Sequence, residues 1–262
     1  MAEYGQIRWE RRGEVGLLTL DRPEKLNAWT RRMQAEIFDA LDRANADAGI
    51  GAVVVTGAGR GFCAGADVKA QFANRLEGGD PAIDDARRDW VAFVRESKPL
   101  VAAINGVAVG VGLTMVLPFD VLLASTDAKV GMFFVRMGLV PELASSSFLA
   151  RRVGFGLASE MCLTGRLYEA SELAGSGLFN RVVTPDRLLH EAISVATAIA
   201  ANPDWSLRTI KRLLTENASE SDLELVQRRE LEALERAYRT PEHREAVDAF
   251  LAKRPARFRR PA

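Results

Sequence analysis

The stretch at residues 53–69, VVVTGAGRGFCAGADVK, decides the fold, because a buried strand passes here into a turn rich in glycine. The strand is predicted over Ala52–Thr56, where continuous apolar side chains indicate burial on both faces. The small residues that follow let a ligand approach the backbone closely. We expect a helix to begin near Ala66, with Asp67 complementing its dipole and free N–H groups facing a developing negative charge.

A second junction of this kind occupies residues 105–114, NGVAVGVGLT, after a predicted strand at Val101–Ile104. Two such junctions in one domain can aim two N–H donors at one carbonyl oxygen, which is the requirement of an oxyanion hole. Two tight turns without a ligand explain the glycines equally well, so both interpretations stay open at this level. The glycines of residues 57–61 lack the spacing of a dinucleotide-binding fingerprint.

Strands alternate with helices along the first part of the chain, which predicts an α/β core with parallel strands. Further strands are predicted at Val15–Leu20 and Val121–Ala124. Helices are predicted from the cap Thr30 to about Asn45, from Gly112 to Leu117, and up to Glu96 after a mobile loop in the region Gln71–Asp89. From Ser147 onward helical spacing dominates, most clearly at Leu188–Ala200, Ser206–Leu214 and Leu223–Tyr238.

The composition is that of an ordinary globular protein of 262 residues, with 48% hydrophobic and 27% charged residues. Lys plus Arg and Asp plus Glu both number 35, so the net charge of zero argues against nucleic acid or an anionic membrane as the main partner. Two cysteines are too few for a disulfide framework, and the first residues carry no apolar signal-peptide core. We therefore predict a cytoplasmic protein.

One uncharged segment challenges that interpretation, because residues 100–119, LVAAINGVAVGVGLTMVLPF, are long enough to span a bilayer. Asn105, Gly106, Gly110 and Pro118 interrupt the segment, and such residues mark turns. We predict strand, Gly-rich turn and helix inside a soluble core, and no membrane segment.

Several common reaction centres are excluded by the residues that the chain lacks. It has two histidines and no G-x-S-x-G motif, so a Ser-His-Asp hydrolase is not expected. No Cys, His and carboxylate cluster has the spacing of a metal site, and the phosphate-binding P-loop motif is absent. We predict no metal.

Four segments resemble the enoyl-CoA hydratase/isomerase (crotonase) family, in the family's order along the chain. They are KLNAW at 25–29, VVVTGAGRGFCAGADVK at 53–69, NGVAVGVG at 105–112 and EASELAGSGLFNRVV at 169–183. The resemblance implies a crotonase-like (ClpP/crotonase) α/β fold of repeated strand–strand–helix units over residues 1–195. It also implies a helical oligomerisation region at 196–262, homotrimers or dimers of trimers, and acyl-CoA thioester as substrate without a separate cofactor.

The resemblance also implies roles for individual residues. The oxyanion donors would be the backbone N–H groups of Ala66 and Val111, although many relatives have glycine where Val111 stands. A backbone donor survives this exchange if valine tolerates the local angles. The positions expected to line the acyl-CoA are Lys25, Leu26, Ala28, Ala64, Asp67, Val68, Lys69, Gly110, Thr114 and Phe134.

Thr114 and Phe134 depart from the family's hydratases. Those enzymes orient the attacking water with two glutamates, and Thr114 and Phe134 stand at the matching positions. A hydroxyl and an apolar ring do not supply two carboxylates, so the site looks poorly equipped for fast hydration.

Another carboxylate, Glu142, lies in GLVPELASSS at 138–147, which resembles the peroxisomal-type Δ3,Δ2-enoyl-CoA isomerase branch. In that branch the glutamate after proline is the catalytic base. The apolar residues before Glu142 predict a carboxylate at a pocket wall, where desolvation would raise its pKa. Alternatively, Glu142 caps a helix that starts near Ala144.

The resemblance thus favours isomerisation of 3-enoyl-CoA. Hydration by Glu142 alone, other enolate chemistry such as decarboxylation or ring isomerisation, and an acyl-CoA-binding protein without activity remain alternatives.

Overall fold

The computed structural model describes residues 4–67 and 88–259. The strands in this part of the chain are β1 (Ile7–Arg12), β2 (Val15–Leu20), β3 (Ala52–Gly57), β4 (Gly61–Cys63), β5 (Leu100–Ile104), β6 (Val107–Val109), β7 (Val121–Ser125), β8 (Lys129–Gly131), β9 (Tyr168–Glu169) and β10 (Arg181–Val183). Most of the predicted mobile loop, and any helix that follows Asp67 directly, lie outside the described residues.

The helices are α1 (Arg31–Ala46), α2 (Trp90–Glu96), α3 (Val111–Thr114), α4 (Ser145–Thr164), α5 (Pro185–Ala200), α6 (Asp204–Asn217), α7 (Leu223–Ala237) and α8 (Pro241–Leu251), with 3-10 turns at Pro23–Lys25 and Phe133–Met137. The hydroxyl of Thr30 accepts a hydrogen bond from the Met33 N–H at 3.1 Å, so Thr30 caps α1 as predicted. Helix α3 is shorter than predicted, since it ends at Thr114 rather than Leu117.

A six-stranded sheet runs in the order β1-β2-β3-β5-β7-β10. Strand β1 pairs antiparallel with β2, and the remaining neighbours are parallel. Side chains of β3 alternate between two cores, with Val53 and Val55 on one face and Val54 on the other. Helix α5 covers the second face through Leu188, which explains why the parallel strands are apolar on both sides.

A smaller sheet, in the order β4-β6-β8-β9, takes the second strand of each repeat. Strands β3, β5 and β7 belong to the large sheet, and the strands that follow them, β4, β6 and β8, belong to the small one. The chain is therefore built from repeated strand–strand units. Helix α1 follows the pair β1–β2, and helix α3 follows the pair β5–β6. The α/β core of repeated strand–strand units and the helical C-terminal region are therefore present as predicted.

The uncharged segment at 100–119 forms β5, β6 and α3, as predicted. Within residues 4–67 and 88–259, no helix has the length and apolar character that crossing a membrane requires.

Candidate active site

The two Gly-rich segments lie side by side because β4 and β6 pair in parallel, with Gly61 opposite Val107 and Cys63 opposite Ala108. The two segments stay close beyond the ends of these strands, since a Cβ on Gly65 would lie 3.3 Å from the Val109 carbonyl oxygen. Glycine is required at position 65 for a second reason, since its φ is +96°. The two junctions that carry Ala66 and Val111 therefore meet at one end of the small sheet.

Ala66 forms an isolated parallel bridge with Trp29. The Trp29 N–H donates to the Gly65 carbonyl at 2.8 Å, and the Asp67 N–H donates to the Trp29 carbonyl at 2.9 Å. In such a bridge the middle residue turns its own N–H to the opposite side. Within the described chain, the Ala66 N–H makes no backbone hydrogen bond, so it is available to a ligand.

Val111 is the first residue of α3, and Gly110 precedes it with φ +53°. The N–H groups of Leu113 and Thr114 donate to the Gly110 carbonyl at 3.0 and 2.9 Å. The Val111 N–H has no backbone acceptor among the residues described, as expected for the first turn of a helix. The left-handed angle of this turn falls on Gly110, so a valine is compatible with position 111.

Ala66, Val111, Phe134 and Leu143 all contact one hydrophobic core cluster. The Phe134 ring reaches the turn before α3, since its Cζ lies 4.0 Å from the place of a Cβ on Gly110. The structure thus brings together the two junctions that carry the predicted donors, with the Phe134 ring beside Gly110.

The segment KLNAW is anchored from within. Asn27 is fully buried with φ +56°, and its Nδ2 donates to the carbonyls of Ala58 at 2.9 Å and Gly61 at 2.8 Å. Arg22 holds the same segment from outside: Nη1 donates to the Ala28 carbonyl at 2.7 Å and Nη2 to Asp67 Oδ2 at 3.1 Å. We did not predict either anchor.

The predicted lining residues differ in exposure. Lys25 is exposed on its 3-10 turn, and the half-buried ones are Leu26, Ala28, Ala64, Asp67 and Gly110. Val68 and Lys69 lie outside the described residues. The contact of these positions with CoA stays a prediction.

Thr114 is fully buried, and its hydroxyl has no hydrogen-bond partner among the described residues. Phe134 is half-buried. Neither can ionise as a carboxylic acid does, so this part of the site offers no general base.

Glu142 is exposed in the single chain, and so are Leu139 and Val140 before it. Leu139 and Val140, which we expected to form a pocket wall beside Glu142, therefore face solvent in the single chain. Leu143 and Ala144 both adopt positive φ, 54° and 53°, before α4 begins. The residue at the N-cap is Ala144, and Glu142 contributes its backbone carbonyl to the turn, accepting from the Ser145 N–H at 3.0 Å.

Cys63 is close to the donors but unsuited to nucleophilic attack, since complete burial raises the pKa of its thiol to about 12. Asn105 holds the turn between β3 and β4: its Nδ2 donates to the Gly59 carbonyl at 2.9 Å and its Oδ1 accepts from the Gly57 N–H at 3.0 Å. Across the described ranges, no group of three His, Cys, Asp or Glu side chains could hold a metal ion.

A cavity of about 310 Å³ opens on the opposite face of the large sheet, between β1 and the start of α5. Arg8, Thr19 and Leu188 are among its walls, and none of the predicted site residues lines it.

Sequence comparison agrees with the geometry. A family profile described as Enoyl-CoA hydratase/isomerase matches residues 10–261, and the chain belongs to this family of acyl-CoA enzymes. A probable enoyl-CoA hydratase from Rhizobium meliloti (strain 1021) is 36% identical over 260 residues, covering 98% of each chain. The 1,2-epoxyphenylacetyl-CoA isomerase of Escherichia coli (strain K12) is 34% identical over 254 residues, covering 93% of this chain and 94% of its own.

Solved structures show the same likeness. The crystal structure of an enoyl-CoA hydratase from Polaromonas sp. JS666 superposes with a TM-score of 0.89 at 32% identity, covering 97% of this chain and 100% of its own. The relatives are named for both hydration and isomerisation, so the family is established while the reaction of this chain is a separate question.

Proposed function

We propose that this protein is a Δ3,Δ2-enoyl-CoA isomerase in which Glu142 carries the proton and the N–H groups of Ala66 and Val111 bind the thioester oxygen. The observation that carries the proposal is the residue pair at the two positions where the family's hydratases have glutamates. Thr114 is buried with an unpartnered hydroxyl among the described residues, and Phe134 presents a ring. A site of this composition lacks the paired carboxylates that orient water.

The proposed reaction uses one base. The substrate's thioester carbonyl accepts hydrogen bonds from the N–H groups of Ala66 and Val111, which makes the C2 protons more acidic. Glu142 removes one C2 proton from the 3-enoyl chain, and the electrons form a dienolate held by the two donors. Glu142 then returns the proton at C4, and the double bond lies between C2 and C3. One carboxylate suffices because the proton moves along one face of the chain.

Two features of Glu142 support its role as base. Its backbone is fixed between Pro141 and two residues with positive φ, an arrangement that costs energy and is typical of functional sites. Glu142 is also an exposed residue of the single chain. A bound acyl chain or a second subunit would then supply the desolvation that favours proton transfer near neutral pH.

The second candidate is hydration, with Glu142 alone activating a water molecule, because the relative from Rhizobium meliloti is named a probable enoyl-CoA hydratase. Incubation of the protein with 3-enoyl-CoA and with 2-enoyl-CoA, followed by mass spectrometry, separates the candidates. Isomerisation converts 3-enoyl-CoA to 2-enoyl-CoA at constant mass, whereas hydration adds the mass of one water to 2-enoyl-CoA. Rapid water addition without isomerisation would replace our proposal by the second candidate.

We further propose a cytoplasmic homotrimer or dimer of trimers that needs no cofactor besides the CoA of its substrate. The support for assembly is the apolar surface of the C-terminal helices. Leu214, Leu223, Phe250 and Leu251 are 67%, 76%, 83% and 74% exposed in the single chain. A surface of this kind is typical of a protein–protein interface.

A further inference from the structure

We propose that Arg22 is a positioning residue for the oxyanion hole, setting the direction of the Ala66 N–H by tying the Ala28 carbonyl to the Asp67 carboxylate. The inference rests on the proposed function, since it assumes that the Ala66 N–H binds the thioester oxygen.

The orientation of the Ala66 peptide is not fixed by the Ala66 side chain or by a regular strand. Its methyl group is small, and the regular strand β4 ends three residues earlier, at Cys63. Its direction is set by the bridge to Trp29, which binds Gly65 and Asp67 on either side of it. Any shift of Trp29 relative to Asp67 would rotate the peptide that carries the Ala66 N–H.

Arg22 spans this bridge. One guanidinium nitrogen, Nη1, binds the carbonyl of Ala28, the residue before Trp29, at 2.7 Å. The other, Nη2, binds the carboxylate of Asp67, the residue after Ala66, at 3.1 Å. The planar guanidinium therefore fixes the separation of the two backbone segments beside the bridge, which a single-point ammonium group does not do.

The clamp is sheltered, in contrast to an ordinary surface ion pair. The side chains of Arg22 and Asp67 are 16% and 19% exposed, so water screens their attraction less than it would at the surface. The backbone N–H of Arg22 donates to Asn27 Oδ1 at 2.8 Å, so the buried Asn27 holds the arginine's own main chain. The backbone of Arg22 is thus held in place by Asn27, and its side chain can orient Asp67 from a fixed position.

The neighbouring pair Arg8–Asp21 provides a matched control. Its Nε–Oδ2 distance is 2.9 Å, and Asp21 directly precedes Arg22, but the two side chains are 56% and 31% exposed. Arg8 contacts none of the segments that carry the oxyanion donors in the described hydrogen bonds and ion pairs. Arg8→Gln therefore removes an arginine–carboxylate pair without touching the clamp.

The test uses acetoacetyl-CoA, whose enolate absorbs in the near ultraviolet and mimics the charged intermediate. The apparent pKa of the bound ligand is measured for wild type, Arg22→Gln, Asp67→Asn and the double variant. Melting temperature and steady-state kinetics with 3-enoyl-CoA as substrate, resolved into kcat and KM, are measured alongside. Complete loss of one oxyanion donor costs on the order of 10²–10³ in kcat. For a misdirected donor we expect a fall of about tenfold or more in kcat and in the enolisation constant.

The expected pattern is specific to positioning. Arg22→Gln and Asp67→Asn should each weaken enolisation, and the double variant should lose less than the product of the two single effects, because both substitutions act on one clamp. In Arg8→Gln, kcat and the enolisation constant should stay within about twofold of the wild-type values, by the same comparison of coupled and uncoupled sites. If Arg22→Gln does not fold, Arg22→Lys is measured instead. We expect a lower kcat, because lysine keeps the positive charge but lacks the two guanidinium nitrogens that bind Ala28 and Asp67 together.

Two results would overturn the inference in different ways. A folded Arg22 variant with a lower melting temperature but unchanged enolisation and kcat gives Arg22 a structural role only. A wild-type protein that leaves the pKa of bound acetoacetyl-CoA unchanged removes the oxyanion hole itself, and with it the proposed function.

Discussion

Gly112 packs against Cys63 so closely that a Cβ atom on Gly112 would overlap the Cys63 carbonyl oxygen. This contact sets the spacing between the segment that ends at Ala66 and the start of α3, where Val111 stands. The distance between the two donors of the proposed oxyanion hole therefore depends on Gly112, which is not itself one of the donors.

Gly112→Ala should damage both stability and turnover, because a methyl group forces α3 away from the Cys63 backbone. We expect a loss of about 1–3 kcal/mol in the free energy of unfolding, together with a lower kcat on 3-enoyl-CoA. Denaturant unfolding and steady-state kinetics measure the two effects.

Gly156→Ala in α4 is the matched control. Gly156 is exposed, and apart from its chain neighbours and the backbone of its own helix no described heavy atom lies within 4 Å of the place that a Cβ on it would take. Alanine should therefore raise the free energy of unfolding by about 0.5–1 kcal/mol. Equal effects of the two substitutions would show that the Gly112–Cys63 contact does not constrain the site.

Thr114→Val replaces a buried hydroxyl without a described partner by a methyl group of similar size. Removal of an unsatisfied polar group should leave the free energy of unfolding unchanged or raise it by about 1 kcal/mol. Turnover of 3-enoyl-CoA should stay within about threefold, since the proposed reaction gives the hydroxyl no proton to move. A large loss of turnover in a stable Thr114→Val protein would instead assign the hydroxyl to substrate or water.

Lys211 makes stability depend on pH above neutrality. It is 3% exposed, its Nζ binds Asp120 Oδ2 at 2.8 Å, and burial lowers the pKa of its ammonium group from 10.5 to about 8. Between pH 8 and 10.5 the unfolded chain holds a proton that the folded protein has released, so this group makes the protein more stable as pH rises through that window. The full change amounts to about 3 kcal/mol.

The measurement is the free energy of unfolding of wild type minus that of Lys211→Met at several pH values from about 7 to about 11, a range that contains the whole window of this linkage. The subtraction cancels Tyr4 and Cys63, whose raised pKa values of about 12 act in the opposite sense at high pH. A difference that does not change with pH would show that Lys211 titrates normally in the folded protein.

Light scattering should find a trimer or hexamer at micromolar concentration, because the exposed apolar side chains of the C-terminal helices require a partner surface. Phe250→Asp places a charge on this surface and should shift the protein toward smaller species. A stable wild-type monomer would contradict the proposed assembly.

The elements that the sequence predicted well are the buried strands and the long helices. Val15–Leu20 and Val101–Ile104 are continuous apolar runs, and these residues lie in the strands β2 and β5. Strand β1 was not predicted, since IRWERR is rich in charge and pairs along one edge only. The small sheet was missed because its strands are two or three residues long, too short for any periodicity.

In the candidate site too, features with a local sequence signal were predicted, and those that depend on distant parts of the chain were not. The two Gly-rich junctions were predicted because glycines and small residues after a buried strand are a local signal, and the resemblance to the family then assigned the donors to Ala66 and Val111. Arg22 was not, since its partner Asp67 lies 45 residues away and an arginine beside a turn resembles any surface cation. The exposure of Glu142 also depends on which elements cover it, and a local sequence pattern does not contain that information.

The most direct test of the account is the turnover of 3-enoyl-CoA by Glu142→Gln, with Thr114→Val beside it. Glutamine keeps the size and hydrogen bonding of the side chain but cannot accept the C2 proton, so kcat should fall by roughly 10²-fold or more. Affinity for acetoacetyl-CoA and the melting temperature should change little, because the oxyanion donors are backbone groups. A Glu142→Gln protein that isomerises 3-enoyl-CoA at the wild-type rate would contradict the assignment of Glu142 as the base.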